Sequence, residues 1–337
     1  MDFVDNTPVE QTVNKMQVEK QIFQPAFNLH AIADYLLHQI TRLAACGMLL
    51  GLAVMLVYLI HGSWPAISAF GWHFIVSSDW NPVTQKFGAL PAIVGTLATA
   101  LIALLIAVPI SIGIAVFLTQ LAPNWLEYPL RIAIELLAGI PSIIYGMWGL
   151  FVFAPVFANH VEPWLSDKLG NIALIGVLFQ GPPLGIGILT AGIILSIMII
   201  PFMASVMRDA CAIVPDLLKE SAYGLGATTW EVVHQVILPY AKPGVISGII
   251  LGLGRALGET MAVAFVIGNA HQLTASLLMP GSSISSVLAN EFTEATGQLY
   301  NAALIELGLL LLVITFVILA LAKWLTHYFS HLPHKVG

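Results

Sequence analysis

The chain has 337 residues, of which 58% are hydrophobic and only 9% charged. A water-soluble domain carries about a quarter charged residues, so this composition excludes one and points to a protein embedded in a bilayer. The formal net charge of −6 says little about partners, because in a membrane protein the placement of Lys and Arg matters more than their sum.

Residues up to about 25 are polar and lack periodicity, which reads as a loose tail. No cleavable signal peptide is expected, since the first long apolar run starts too deep and has no cleavage-site pattern. Leu29, Ile32, Ala33, Leu36, Leu37 and Ile40 then recur at three- and four-residue spacing, opposite His30, Asp34, His38 and Gln39. That pattern predicts an amphipathic helix lying on the membrane surface ahead of the first span.

Six apolar stretches, near 43–61, 91–119, 130–157, 186–207, 244–268 and 301–323, are long enough to cross a bilayer, which takes ~20 helical residues. The expected fold is all-α and polytopic. The apolar piece Ile172–Phe179 is too short to span. The loops 62–90 and 158–185 carry Trp64, Trp72, Trp80 and Trp164, read first as interfacial anchors and second as a landing surface for a partner. Cys46 lies in an apolar run and Cys211 in a connecting segment, so no disulfide framework is implied.

Lys15, Lys20, Arg42, Arg131, Arg208, Lys219, Lys242, Lys323 and Lys335 fall on one side of this topology, against Lys86 and Lys168 on the other. The positive-inside rule therefore puts both termini and the 208–243 connection in the cytoplasm. The expected organisation is a tail and interfacial helix over 1–42, a membrane-spanning domain over 43–325 with a connecting loop at 209–243, and a C-terminal tail over 326–337.

Residues 219–239 form a polar hairpin between two spans. Pro215 and Asp216 suit a helix start, Gly224 and Gly226 supply a turn, and Thr228-Thr-Trp-Glu231 is a capping box opening a second short helix. Pro239 and Pro243 are expected to close the unit before the fifth span. An ordinary connector would not require Glu220-x-Ala222, Gly226 and Leu238-Pro239 at these offsets.

In the fifth span, Arg255 and Glu259 share a helical face with Gly244, Gly248 and Gly252. Charges at mid-span cost roughly 2.5 kcal/mol or more each, so this face points to protein or water. Two readings stand together: an i,i+4 ion pair that fixes packing, or a guanidinium offered to a passing oxyanion with Glu259 holding it in place. Glu135 is expected to pair with Arg131 one turn earlier, and Glu306 to be solvated near the end of the sixth span. His327, His331 and His334 lie in a departing tail and are not read as a metal site.

Three further segments complete the pattern: Asn81-Pro-Val…Phe87-Gly-Ala-Leu-Pro91…Gly95-Thr96, Glu135-Leu-Leu-Ala-Gly-Ile-Pro141-Ser142-Ile-Ile-Tyr145-Gly146, and Arg255-Ala-Leu-Gly-Glu259-Thr-Met-Ala. With the hairpin, they make residues 40–325 resemble the phosphate-specific ABC importer permeases, and more closely the PstC-type than the PstA-type subunit. Ser221 stands where the hairpin motif usually has its first Ala, a small-for-small change.

The resemblance implies the type I ABC importer permease fold. It implies that Glu220, Ala222, Gly226, Leu238 and Pro239 form the coupling loop that docks on an ATPase, and that Arg255 and Glu259 line the route of inorganic phosphate. It further implies a homologous PstA-type permease partner, a dimer of PstB-type ATPases that binds the ATP, a PstS-type periplasmic binding protein, a lipid bilayer around the chain, and no nucleic acid. No cofactor is expected in this chain, which has no Walker A loop. Rival readings are a permease for molybdate, sulfate or phosphonate, or an ATP-independent channel or secondary transporter. A membrane hydrolase lacks support: neither His-Glu-x-x-His nor Gly-x-Ser-x-Gly occurs.

Overall fold

The computed structural model describes residues 29–172 and 175–330, with side chains described from Ala33 to Thr326. The N-terminal tail with Lys15 and Lys20, the side chains of Leu29, His30, Ile32 and His327, and His331, His334 and Lys335 lie outside the described residues. Contacts divide the chain into Met1–Tyr58 and Leu59–Gly337.

The first unit is described through helix α1, Leu29–Phe70, which is one uninterrupted helix of 42 residues. The sequence reading had an interfacial helix followed by a separate span. No helix breaker separates the two patterns, and Pro65 lies near the far end. From Ala33 to Tyr58 every side chain except that of half-buried Gln39 is exposed. From Leu43 to Tyr58 this exposed surface carries no charged side chain, which suits a hydrocarbon surrounding.

In the second unit, helix α2 (Leu90–Val116) is followed by a π turn at Phe117–Leu121 and by α3 (Asn124–Ala138). Segment α4 (Ser142–Leu169) is helical throughout but carries π turns at Gly149–Phe153 and Phe157–Val161. Then come α5 (Ile188–Ala212), the short α6 (Asp216–Gly224) and α7 (Thr229–Val232), a π turn at Val233–Ile237, and α8 (Leu238–Gly258). Helices α9 (Met261–Val266), α10 (Ile284–Glu291) and α11 (Gln298–Ser330) complete the described chain. Among the described residues the only β features are isolated bridges, Asn81 with Lys86 and Gly268 with Gly281. The protein is all-α, with six helical segments long and apolar enough to span a membrane.

α5 is the hub. Ile194, Leu195, Met198, Ile199, Met203 and Met207 are fully buried along it. On one side it meets the alanine face of α2, Ala100, Ala103, Ala107 and Ala115; Gly192 admits Ile102 where a methyl group would come within 2.6 Å. On the other side it meets the glycine stripe of α8. A Cβ on Gly248 would lie 3.1 Å from Met207, one on Gly252 2.5 Å from Met203, and one on Gly244 would collide with Ala210. Small residues thus let these helices approach, as the four-residue glycine spacing predicts.

Two spans differ from expectation. The third begins at Ser142 and not near 130, because Pro141 excludes Ile140 from helical geometry and α3 ends at Ala138. The fifth starts at Thr229 and ends at Gly258. Pro239 lies in the first turn of α8, and its missing N–H is absorbed by the wider π turn just before it. The hairpin's second helix therefore runs on into the span instead of being closed off by proline.

Candidate functional site

Two backbone breaks, one just before the span that starts at Ser142 and one just after the span that ends at Gly258, lead into helices that pack against each other. At the first, between α3 and α4, the N–H groups of Gly139 and Ile140 bond back to Leu136 and Leu137 at 3.1 and 3.3 Å. The Tyr145 hydroxyl also donates to Leu137 O at 2.9 Å. At the second, Glu259 leaves the helix with ψ 129°. Its Oε1 accepts the Ala262 N–H at 3.2 Å, and its carbonyl accepts the Ser285 hydroxyl at 2.7 Å. Gly146, just past the first break, faces α9 so closely that a Cβ would lie 3.0 Å from the Ala262 Cα.

Arg255 is one turn before the second break. Its Nε is buried without a hydrogen-bond partner, and its guanidinium carbon lies 5.7 Å from the centre of the Phe202 ring on α5. Among the described residues it has no carboxylate partner. The i,i+4 pair with Glu259 is therefore not formed. The helix on which that geometry depends stops at Gly258, and the Glu259 carboxylate caps α9 instead. What remains is a half-buried cation beside exposed polar backbone, with terminal N–H groups open to an anion. Discontinuous helices that free backbone groups at membrane depth do so where they line a cavity or are buried in protein.

The hairpin separates its motif residues by role. Ala222 and Leu238 pack onto the main core, beside buried Val232, Val233 and Ile237. Glu220, Gly226 and Pro239 are exposed. Gly226 has φ +90° and makes the turn, whereas Gly224 closes α6 in helical geometry. The capping box forms as the spacing predicts: the Thr228 N–H donates to Glu231 at 2.7 Å and the Glu231 N–H to the Thr228 hydroxyl at 3.4 Å. Beside this satisfied polar frame, Leu217, Leu225 and Trp230 are 73%, 91% and 73% exposed. These three side chains leave apolar surface uncovered on an otherwise polar hairpin.

Three charged groups have other partners than expected. Glu135 bonds Arg208 of α5 at 3.2 Å, and Arg208 also holds Asp209 at 2.6 Å; Arg131 instead lies over the Tyr128 ring at 5.3 Å. Glu306 is only 6% exposed, with Oε2 unpartnered, so it is not solvated. Trp80 is not an interfacial anchor. It donates to Glu291 Oε2 at 2.8 Å, as does Tyr300 at 2.6 Å, while His271 bonds Glu291 Oε1 at 2.7 Å. The Trp80 and His271 rings stack at 5.5 Å. Burial pushes the Glu291 carboxyl up, but the hydrogen bonds from His271, Tyr300 and Trp80 outweigh it and hold it below its ordinary value. Trp64, Trp72 and Trp164 are exposed, which fits interfacial anchors and a partner's landing surface equally.

The glycine-bearing segment 81–96 is also explained. Gly88 lies against Ser77 and Gly95 against the Ser282 carbonyl where no Cβ fits, and Thr96 accepts the Ile284 N–H at 2.9 Å. These contacts bind α2 to the α10 cap, which the spacing alone did not reveal. Cys46 and Cys211 are free. No group of three metal-ligating side chains occurs among the described residues.

Residues 107–330 match the family model described as "Binding-protein-dependent transport system inner membrane component". The chain is 57% identical over 296 residues to the phosphate transport system permease protein PstC of Pasteurella multocida, covering 88% of this chain and 92% of the relative. To the PstC of Haemophilus influenzae it is 58% identical over 290 residues, 86% of this chain and 92% of the relative. Among solved structures, a bacterial alginate ABC transporter in complex with alginate pentasaccharide-bound periplasmic protein matches with TM-score 0.59 and 19% identity, over 89% of this chain and 96% of that one. That likeness concerns the fold, which is that of an ABC transporter chain.

Proposed function

This chain belongs to the PstC family of binding-protein-dependent transport permeases, and from that premise we propose that it carries inorganic phosphate inward as one half of a membrane pathway. It is a membrane subunit of a multi-chain ABC importer and has no nucleotide-binding motif of its own. The observation that carries the phosphate reading is Arg255, a cation within a span whose nearest acid in sequence is turned away to cap another helix. A guanidinium with free terminal N–H groups offers a tetrahedral oxyanion two parallel hydrogen bonds. Glu259 contributes by shaping the break rather than by neutralising the charge.

The exposed hairpin around Glu220 and Gly226 is the coupling loop, anchored by Ala222 and Leu238 and continued by Pro239. Its docking partner is a dimer of PstB-type ATPases. A PstA-type permease supplies the other half of the pathway, and a PstS-type binding protein delivers phosphate to the opposite side. The excess of Lys and Arg on the hairpin side places that side and both termini in the cytoplasm of a bacterial inner membrane. Residues 43–325 act as the permease domain, with 209–243 as its coupling loop and 1–42 and 326–337 as flanking segments. The cycle is alternating access: loaded binding protein docks outside, ATP closes the ATPase pair, and the hairpins pass that motion to the spans.

The test is radiolabelled phosphate uptake by the reconstituted four-component complex carrying Arg255→Ala. Uptake collapses while assembly and binding-protein docking persist. Unchanged uptake removes Arg255 from the pathway. Inhibition of wild-type uptake by sulfate or molybdate as strong as by phosphate removes the assigned selectivity.

A further inference from the structure

Near the hairpin side of the second unit, the start of α8 and the end of α11 enclose a groove of about 550 Å³. Deeper in the membrane segment these helices approach, so that a Cβ on Gly254 would lie 3.6 Å from Leu319. The groove is amphipathic along its length. Lys242 and Lys323 line it together with Ser247 and Thr326, whereas Ile246, Ile250 and Leu251 form its apolar wall. Both lysines are exposed, and among the described residues neither has a carboxylate partner. The Ser247 and Thr326 hydroxyl protons are taken by backbone carbonyls of their own helices, Pro243 and Lys323, at 2.8 and 2.7 Å. Those two oxygens therefore face the groove as acceptors.

The surroundings select the occupant. Leu251, Phe316, Val317 and Leu321 are 49%, 71%, 45% and 52% exposed on helices built to cross a bilayer, so the groove opens onto acyl chains. Trp324, a residue type enriched at headgroup level, adjoins Lys323. Two unneutralised cations at the mouth of an apolar slot complement a phosphodiester carrying two hydrocarbon tails. A soluble anion would have no use for the apolar wall.

We infer that this groove binds one anionic phospholipid of the leaflet on the hairpin side. Lys242 and Lys323 hold the phosphodiester, Ser247 and Thr326 accept hydrogen bonds from headgroup hydroxyls, and an acyl chain lies along Ile246, Ile250 and Leu251. The site tethers the start of α8, which continues from the hairpin, to the end of the last span. It is independent of which solute the pathway carries.

Native mass spectrometry of the full transporter complex, with phosphatidylglycerol or phosphatidylcholine of matched chains added, tests this. The wild-type complex retains one more phosphatidylglycerol than the K242Q/K323Q complex, whose occupancy at equal lipid falls roughly tenfold or more. The K242R/K323R complex keeps the lipid, which separates loss of charge from loss of fold. Equal phosphatidylglycerol retention by the glutamine variant overturns the inference. So does equal retention of phosphatidylcholine by the wild type, which would mark a plain apolar slot. Abolition of the wild-type excess by millimolar inorganic phosphate would make the lysines a free-anion site and also overturns it. A wild-type complex without the extra lipid, its groove covered by a partner subunit, likewise overturns the inference.

Discussion

Arg208 and Arg255 sit on neighbouring packed helices and are treated in opposite ways. Arg208 is held by Glu135 at 3.2 Å and Asp209 at 2.6 Å. Arg255 has an aromatic face at 5.7 Å and an unpartnered Nε. The first joins α3 to α5 and leaves little for a ligand to gain. The second keeps its donors free at a place where two helices are broken. Identical side chains are thus tied down in one position and left without an acid in the other, which is what the proposed pathway role of Arg255 requires, and what differs is whether the local backbone lets an acid reach them.

The largest expected effect tests that contrast directly. Arg255→Ala should lower phosphate uptake by at least about 30-fold, since losing one partner of a desolvated charge contact costs 2–5 kcal/mol. The thermal midpoint should hardly move, because no carboxylate is left stranded; a large stability loss would mean that Arg255 is a fastener after all. Next, Gly226→Pro cannot adopt φ +90°, so uptake should drop about tenfold or more while ATPase activity of the complex continues. Tight coupling in that variant would detach the hairpin from the drive.

A smaller effect concerns the other satisfied acid, Glu291. Glu291→Ala strands the Trp80, Tyr300 and His271 donors and should cost about 1–3 kcal/mol. The folded carboxyl titrates below its ordinary value of 4.5, so its contribution is complete above that value and fades as pH falls through the lower folded one. Thermal unfolding of the wild-type complex should accordingly lose stability in acid below about pH 4.5, and the variant should show a shallower acid limb. Smallest of all, a double-mutant cycle on Glu135→Gln and Arg208→Gln should return no more than about 1 kcal/mol, diminished by salt, because Glu135 is 51% exposed.

The spans were legible because ~20 consecutive apolar residues have no other cheap arrangement, and the hairpin because caps and turns act over three or four residues. Thr228 and Glu231 met as their spacing requires. The breaks were not legible, although Pro141 and Gly258 were in view, because the apolar pattern continues across both. Assuming one helix through Glu259 put it on the Arg255 face, and one change of backbone geometry moved it off. The pairing of Trp80 with Glu291 spans 211 residues, and Gly95 against Ser282 is equally distant in character; no local pattern carries such contacts. Arg208 and Glu135 were each visible as charges, yet nearest-neighbour reasoning paired Glu135 within its own helix.

The π turn at Val233–Ile237 sets the phase of everything after it. One extra residue in a turn rotates the downstream helix by about 100°. Shortening that turn by a single residue would swing the guanidinium a quarter-circle or more from its present bearing, leaving the hairpin and the membrane rod intact but misaligned. The protein's aim, more than its strength, is stored in those five residues.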